Sequence, residues 1–340
     1  MRKSVATGLA RALLAALPVT ICALAAGCGR SGAAAEIVAF QPSEGSLRAG
    51  SPAGASVSIE NTGGEDRTFY VGYSVRDPAG EWRDAPPSAV NLAAGEQATT
   101  DELRTEPLET TGYYGSRVSV WSEDPGGNSE PERLAALEEA STFRVYSSRE
   151  DFDASELDAG RWEATTRDLG RGGLTPENVG LEDGLLRLAL PAGTLNGSEI
   201  ESKDLHGPGF YAARIKVPDT PSSITGFFLY SPPDFESEID VEIYNDASGR
   251  ILFTTYSDGE QTHTETVTLP FDPTEDFHVY AFFYDEESVT FYVDGEPMQE
   301  YEGGLPDERM NLYVNTWFPD WLDGEEPESD RNVYVDWIEW

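Results

Sequence analysis

The stretch "SEIDVEIYN", residues 237–245, sets three carboxylates against three aliphatic residues in strict alternation. Glu238, Asp240 and Glu242 fall on one parity, Ile239, Val241 and Ile243 on the other. On a β-strand, successive side chains point to opposite faces. One face is therefore acidic and the other aliphatic, so the strand has one side in a core and one side open. Neighbours at i and i+2 lie ~7 Å apart. Two unit charges at that distance repel by about 2 kcal/mol at an effective dielectric of 20. On a fully solvated face the cost drops to a few tenths of a kcal/mol, but such a face more often mixes in Thr, Lys or Arg. A Ca²⁺ site is a second reading, but such sites favour loops that wrap the ion, and a strand presents its ligands in a line.

The rest of the chain reads in the same period. Before the acidic stretch come "GLLRLAL", "GSEIES", "GFYAARIKV" and "ITGFFLYS"; after it come "RILFTTYS", "THTETVTL", "HVYAFFY", "SVTFYVDG", "NLYVNTW" and "VYVDWIEW". About a dozen short strands with almost no helix predict an antiparallel two-sheet sandwich of jelly-roll type over 147–340, with a concave cleft. Upstream, "EIVAF" (36–40), "ASVSIEN" (55–61), "TFYVGYSV" (68–75), "GYYGSRVSVW" (112–121) and "TFRVY" (142–146) alternate likewise. They predict an Ig-like β-sandwich of about seven strands over 36–146. Within it, "SEPERLAALEEA" (129–140) reads as the one helix, with Pro131 near its start and Leu134 and Leu137 spaced i, i+3. The fold class is thus all-β, in two domains.

The 340 residues include 62 acidic and 23 basic ones, for a net charge of -39. That excludes nucleic acid and an anionic membrane surface as electrostatic partners. Disorder is excluded too, since 39% of residues are hydrophobic and 11% aromatic. The N-terminus is a targeting segment over 1–27. Arg2, Lys3 and Arg11 precede the apolar run "LLAALPVTICALAAG". "LAAGC" resembles a bacterial lipobox, which implies lipidation of Cys28, a tether over 28–35, and a cell-surface lipoprotein that meets the membrane only through its anchor. A plain secretory signal is the alternative. The only two cysteines, Cys22 and Cys28, lie in this segment. The domains are therefore expected to hold by core packing alone, and the chain to be monomeric.

Cleavage of a glycosidic bond gives the carboxylates a purpose. A retaining glycosidase needs two carboxyl groups about 5–5.5 Å apart, one as nucleophile and one as acid/base. Residues i and i+4 of a strand have Cα atoms roughly 13 Å apart. The side chains must converge over a concave sheet to close that distance. The middle carboxyl then lies between them, and mutual repulsion raises at least one pKa, as general acid catalysis requires.

At these residues the chain resembles glycoside hydrolase family 16, whose signature is E-x-D-x-E, in the uninterrupted form of the lichenase-type β-glucanases. The resemblance implies Glu238 as nucleophile, Asp240 as its modulating partner and Glu242 as acid/base, with no cofactor for catalysis. "PENVGLEDGLLRL" implies a sugar contact at Asn178, and "GSEIES", resembling G-G-E-x-R-S, implies one at Glu199. Phe228 and Tyr230 of "GFFLYS", Asn315 and Trp317 of "LYVNTW", and Trp321 of "PDWLDG" complete the implied substrate-binding set. Aromatic rings suit the apolar faces of sugars. Relatives often bind a structural calcium away from the cleft, and the Gly184 carbonyl and Asp336 match that site. Two departures fall beside the subsites: Glu201 stands where many relatives have Arg, and Glu236 where lichenases usually have Trp. The three histidines, His206, His263 and His278, are dispersed and show no metal or dyad spacing.

The expected partner is a polysaccharide, and the expected activity endo-acting hydrolysis of β-linked glucan. Transglycosylation and non-catalytic glycan binding are the alternatives, the latter having no need of a close carboxyl pair.

Overall fold

The computed structural model describes residues 33–127 and 130–340. The expected signal segment with Cys22, the expected lipidation position Cys28, and most of the expected tether lie outside them. Contacts divide the chain into two compact units. One runs to Leu108 and adds Tyr114–Phe143; the other comprises Glu109–Tyr113 and Arg144–Trp340.

The first unit is built of two antiparallel sheets. One contains four strands, Ala35–Pro42, Ser51–Asn61, Gln97–Thr99 and Leu103–Leu108. The other contains six, among them Arg67–Arg76, Gly112–Trp121 and Arg133–Tyr146. Ten strands stand where about seven were expected, because short edge strands such as Ser46–Arg48 and Trp82–Asp84 carry too few residues to alternate visibly. The expected helix is absent. Residues 133–140 belong to the long strand Arg133–Tyr146, in the sheet that also holds Gly112–Trp121. Its residues 136–140 alternate between exposed and half-buried. Sheet pairing overrides the helical propensity of "LAALEEA".

The second unit is the predicted jelly-roll sandwich. An eight-stranded sheet includes Leu185–Leu190, Arg331–Glu339, Gly209–Lys216 and His278–Tyr284. Facing it is a seven-stranded sheet in the spatial order Trp162–Ala164, Ser198–His206, Met310–Trp317, Ile224–Ser231, Ser237–Tyr244, Arg250–Ser257, Glu260–Thr268. Ile239, Val241 and Ile243 are fully buried between the sheets, in one cluster with Phe227, Leu229, Ile251, Phe253 and Phe282. Burying each aliphatic stabilises by about 2 kcal/mol. Three such contributions offset the repulsion along the acidic face, so the core side of the strand holds its charged side in place.

A buried polar network locks the far end of the same strand. Asn245, with no exposed surface, donates from Nδ2 to Ser223 Oγ at 2.9 Å and to Thr316 Oγ1 at 3.2 Å. Thr225 donates to Asn245 Oδ1 at 2.7 Å. Buried amides are costly unless satisfied, so this network fixes where the strand ends.

Candidate active site

The register of the seven-stranded sheet arranges the site in rows across the strands. Glu238 lies opposite Tyr230 on one side and Tyr256 on the other. Asp240 lies between Phe228 and Thr254, and Glu242 between Gly226 and Leu252. Asn315 continues the Glu242 row beyond Gly226, and Tyr313 continues the Asp240 row beyond Phe228. Because side chains alternate, all of these share one face. That face forms a groove of about 500 Å³ lined by Glu238, Asp240 and Glu242 together. The carboxylates therefore meet open space, not packed protein. Glu238 and Glu242 are half-buried, and Asp240 is buried between them.

Burial dominates the electrostatics. It raises the Glu238 carboxyl above the usual range, the charge of Glu242 adds to this, and the Arg167 guanidinium opposes it. Burial raises Glu242 as well. Asp240 is pushed well up by burial and then by its two acidic neighbours, and its Oδ1 has no hydrogen-bond partner among the described residues. The three therefore retain protons at pH values where isolated carboxyls are fully ionised. With one proton on the Glu238–Glu242 pair, an acid able to donate and a carboxylate able to attack coexist on one strand.

Aromatic rings flank the trio at both ends of the strand. Phe235, 55% exposed, packs against Tyr256 with ring centroids 5.2 Å apart, at the Glu238 end. Trp321, 52% exposed, meets Tyr244 edge-on at 5.8 Å, at the Glu242 end. Trp317, Phe228 and Tyr230 also line the groove. Phe228 stacks on Tyr313 at 5.0 Å, and the Tyr230 hydroxyl donates to Asp234 at 2.7 Å.

Two expected sugar contacts sit elsewhere. Glu199 has no exposed surface. It accepts from Thr165 Oγ1 and Arg167 Nη2, both at 2.8 Å, and from Asn315 Nδ2 at 3.0 Å. Glu199 thus supports the groove from beneath, and Arg167 and Asn315 are the members of the network that reach the groove wall. Asn178 is not part of the groove lining; its amide donates to the Gly197 carbonyl at 2.9 Å, tying a loop to the strand that carries Glu199. Ten groove residues escaped sequence reasoning, among them Arg167, Phe235, Tyr256 and Gly226. Phe235 places a ring beside Glu236, the position of the expected missing Trp. Arg167 brings a cation to the region where Glu201 replaces Arg. Glu201 bonds instead to Tyr313 and is raised, first by burial.

The side chain expected to hold calcium is engaged in an ion pair. Asp336 accepts from Arg214 Nη1 at 2.6 Å, so its charge is already matched by a guanidinium. Gly184 lies in the turn between Val179–Glu182 and Leu185–Leu190. Among the described residues, no group of three or more His, Cys, Asp or Glu side chains could hold a metal.

A jelly-roll sandwich whose open sheet face presents three acids between aromatic rims suits a carbohydrate ligand. Residues 173–339 match the model of glycosyl hydrolases family 16. A beta-glucanase of Paenibacillus macerans is 27% identical over 168 residues, 46% of this chain and 71% of that protein. A xyloglucan endotransglucosylase/hydrolase of Arabidopsis thaliana is 31% identical over 133 residues, 36% of this chain and 46% of that protein. The chain thus spans less than half the length of the Arabidopsis relative. Among solved structures, a prokaryotic beta-1,3-1,4-glucanase (lichenase) derived from a mouse hindgut metagenome superposes with a TM-score of 0.50 at 27% identity. The match covers 56% of this chain and 96% of that one.

Proposed function

We propose that the C-terminal domain is an endo-acting, retaining glycoside hydrolase that cleaves β-1,3 or mixed β-1,3-1,4 glucan. The observation that carries this reading is the single groove lined by Glu238, Asp240 and Glu242 together. In the first step a Glu238 oxygen bonds to the anomeric carbon as the glycosidic C–O bond breaks, and the Glu242 proton passes to the leaving oxygen. In the second, Glu242 takes a proton from water, the water oxygen bonds to the same carbon, and the bond to Glu238 breaks with its electron pair returning to the carboxylate. Two inversions give net retention. Asp240, kept protonated by burial between its neighbours, lets both glutamates lie close without a third full charge. The exposed rings of Phe235 and Trp321 at either end of the acidic strand are suited to sugars on both sides of the cleaved bond.

Transglycosylation is the second reading, with a sugar hydroxyl in place of water. The 31% identity to a xyloglucan endotransglucosylase/hydrolase favours keeping it. Incubating the full chain with a polysaccharide panel separates the outcomes. Hydrolysis releases short oligosaccharides with retained anomeric configuration, whereas transfer appears only when acceptor oligosaccharides are added. Glu238→Gln and Glu242→Gln each abolish both. A folded chain that binds glycan yet neither cleaves nor transfers any member of the panel overturns the enzymatic reading in favour of a glycan-binding protein.

The site of action proposed with it is the cell surface, with Cys28 as the lipidated residue. Cys28→Ser is expected to move the protein from the membrane fraction to the medium or soluble fraction. An unchanged distribution sinks the anchor.

A further inference from the structure

The six-stranded sheet of the first unit has an outward face unlike an ordinary solvated one. On Arg67–Arg76, the residues Phe69, Val71, Tyr73 and Val75 are buried in the core, so Gly72 and Ser74 fall on the opposite face. Register pairs Gly72 with Ser119, Ser74 with Arg117, and Ser74 with Asp84 on the other side. Long polar side chains usually cover such a face. Here the smallest residues sit together, and a hollow of about 390 Å³ opens, floored by Gly72, Ser74 and Ser119 and walled by Trp121, Arg117 and Asp84. That volume lies within the range of ligand pockets.

The walls are held in place. A Cβ at position 72 would lie 2.5 Å from Cζ3 of Trp121, so the glycine is what lets the indole lie against the sheet. Asp84 Oδ1 accepts from Ser74 Oγ at 2.6 Å. The Arg117 guanidinium sits 4.1 Å from the centroid of the Trp82 ring. One flat apolar surface, one fixed acceptor, one fixed planar donor and two hydroxyls therefore converge on the same space. A sugar ring requires this combination: an aromatic plane for its axial C–H face, and donors and acceptors for its equatorial hydroxyls. Asp84 offsets one of the two guanidinium groups, Arg117 and Arg133, that line the hollow, so its charge does not select a cationic ligand.

We propose that this hollow binds a sugar unit of a polysaccharide, with Trp121 as the stacking platform and Asp84 and Arg117 as hydroxyl partners. Taking that polysaccharide to be the substrate of the second unit rests on the functional reading above. The first unit then raises the local concentration of polymer for the second.

Gel retardation of the full chain carrying Glu238→Gln, in gels cast with each polysaccharide of the panel, tests the proposal. Adding Trp121→Ala is expected to weaken retardation at least tenfold and adding Asp84→Ala about threefold. In the otherwise unaltered chain, neither substitution changes cleavage of a short soluble oligosaccharide. Trp321→Ala reports the share of retention owed to the cleft. If Trp121→Ala and Asp84→Ala both fold and retain the parent's retardation, the proposal falls. It also falls if a polymer that the enzyme cleaves fails to retard the Glu238→Gln chain. If nothing in the panel is either cleaved or bound, the functional reading fails first and the ligand assignment goes with it.

Discussion

Arg167 donates from Nη2 to Oε2 of Glu199 at 2.8 Å, and that glutamate has no exposed surface. The arginine is itself a third exposed and lines the groove that holds Glu238. It therefore joins a buried support to the carboxyl proposed as nucleophile. Its positive charge opposes the rise of the Glu238 pKa caused by burial and by Glu242. Arg167→Met is expected to raise that pKa further, so the acidic limb of kcat/KM moves to higher pH and activity on that limb falls about tenfold, the equivalent of one pKa unit. Arg167→Lys restores the limb. An unmoved profile in a folded Met variant would leave Arg167 a purely structural partner of Glu199.

On the acidic strand, the arrangement proposed for catalysis opposes stability. The Glu238 carboxyl is pushed up to about 8 and Glu242 to about 7, from an ordinary 4.5. Between pH 4.5 and those values the folded chain holds protons that the unfolded chain has released. Stability is therefore full below pH 4.5 and declines as pH rises through the window. Glu238→Gln removes the penalty. Its Tm is expected to exceed that of the parent by about 2–4 °C per kcal/mol recovered at pH 8, with no gain at pH 4. Scanning calorimetry at both pH values decides; a loss of stability at pH 8 contradicts the charge argument.

The acidic strand was legible because its period is two and its faces differ in chemistry at every position from Glu238 to Ile243. Its neighbours were legible for the same reason. Arg167 was not, since it reaches Glu199 across 32 positions through a hairpin, Arg167–Leu169 with Gly172–Leu174, that leaves no periodic trace. Alternation also places Glu199 and Glu201 on one face without saying that Arg167 and Asn315 cover the first. Phe235 takes a positive φ of 70°, and a backbone reversal at a bulky residue carries no local signature. At 133–140, helix propensity pointed one way and strand pairing prevailed.

His206 supplies an acid-sensitive element away from the groove. Its ring is 8% exposed and meets Tyr211 and Trp340 edge-on, each at 5.8 Å. Burial pushes its pKa down from 6.5 to about 4; Arg309 adds to this and Asp204 opposes it. The unfolded chain takes up a proton near pH 6.5 and the folded chain does not until about 4. The contribution is thus intact above 6.5 and shrinks as pH falls, by about 1.4 kcal/mol per unit. His206→Phe keeps an aromatic ring and removes the titration. Denaturant melts from pH 7 to 4.5 are expected to show the variant gaining on the parent at each step down, the common carboxylate terms cancelling in the difference. A constant difference across that range refutes the assignment.

Gly226 tests whether backbone space sets the position of Asn315. It lies opposite both Glu242 and Asn315, and its N–H donates to Asn315 Oδ1 at 3.2 Å. A Cβ there would stand 2.7 Å from that oxygen and 3.2 Å from the Phe228 ring. Gly226→Ala must displace the amide that also donates to Glu199, and a misplacement of about 1 Å near reacting groups costs on the order of a hundredfold in rate. A double-mutant cycle separates this route from a general packing defect. If Gly226 acts through Asn315, Gly226→Ala combined with Asn315→Ala loses no more kcat/KM than Asn315→Ala alone. Additive losses would mean that the methyl acts through Phe228 or on Glu242 directly, and Asn315 would then have no part in the effect.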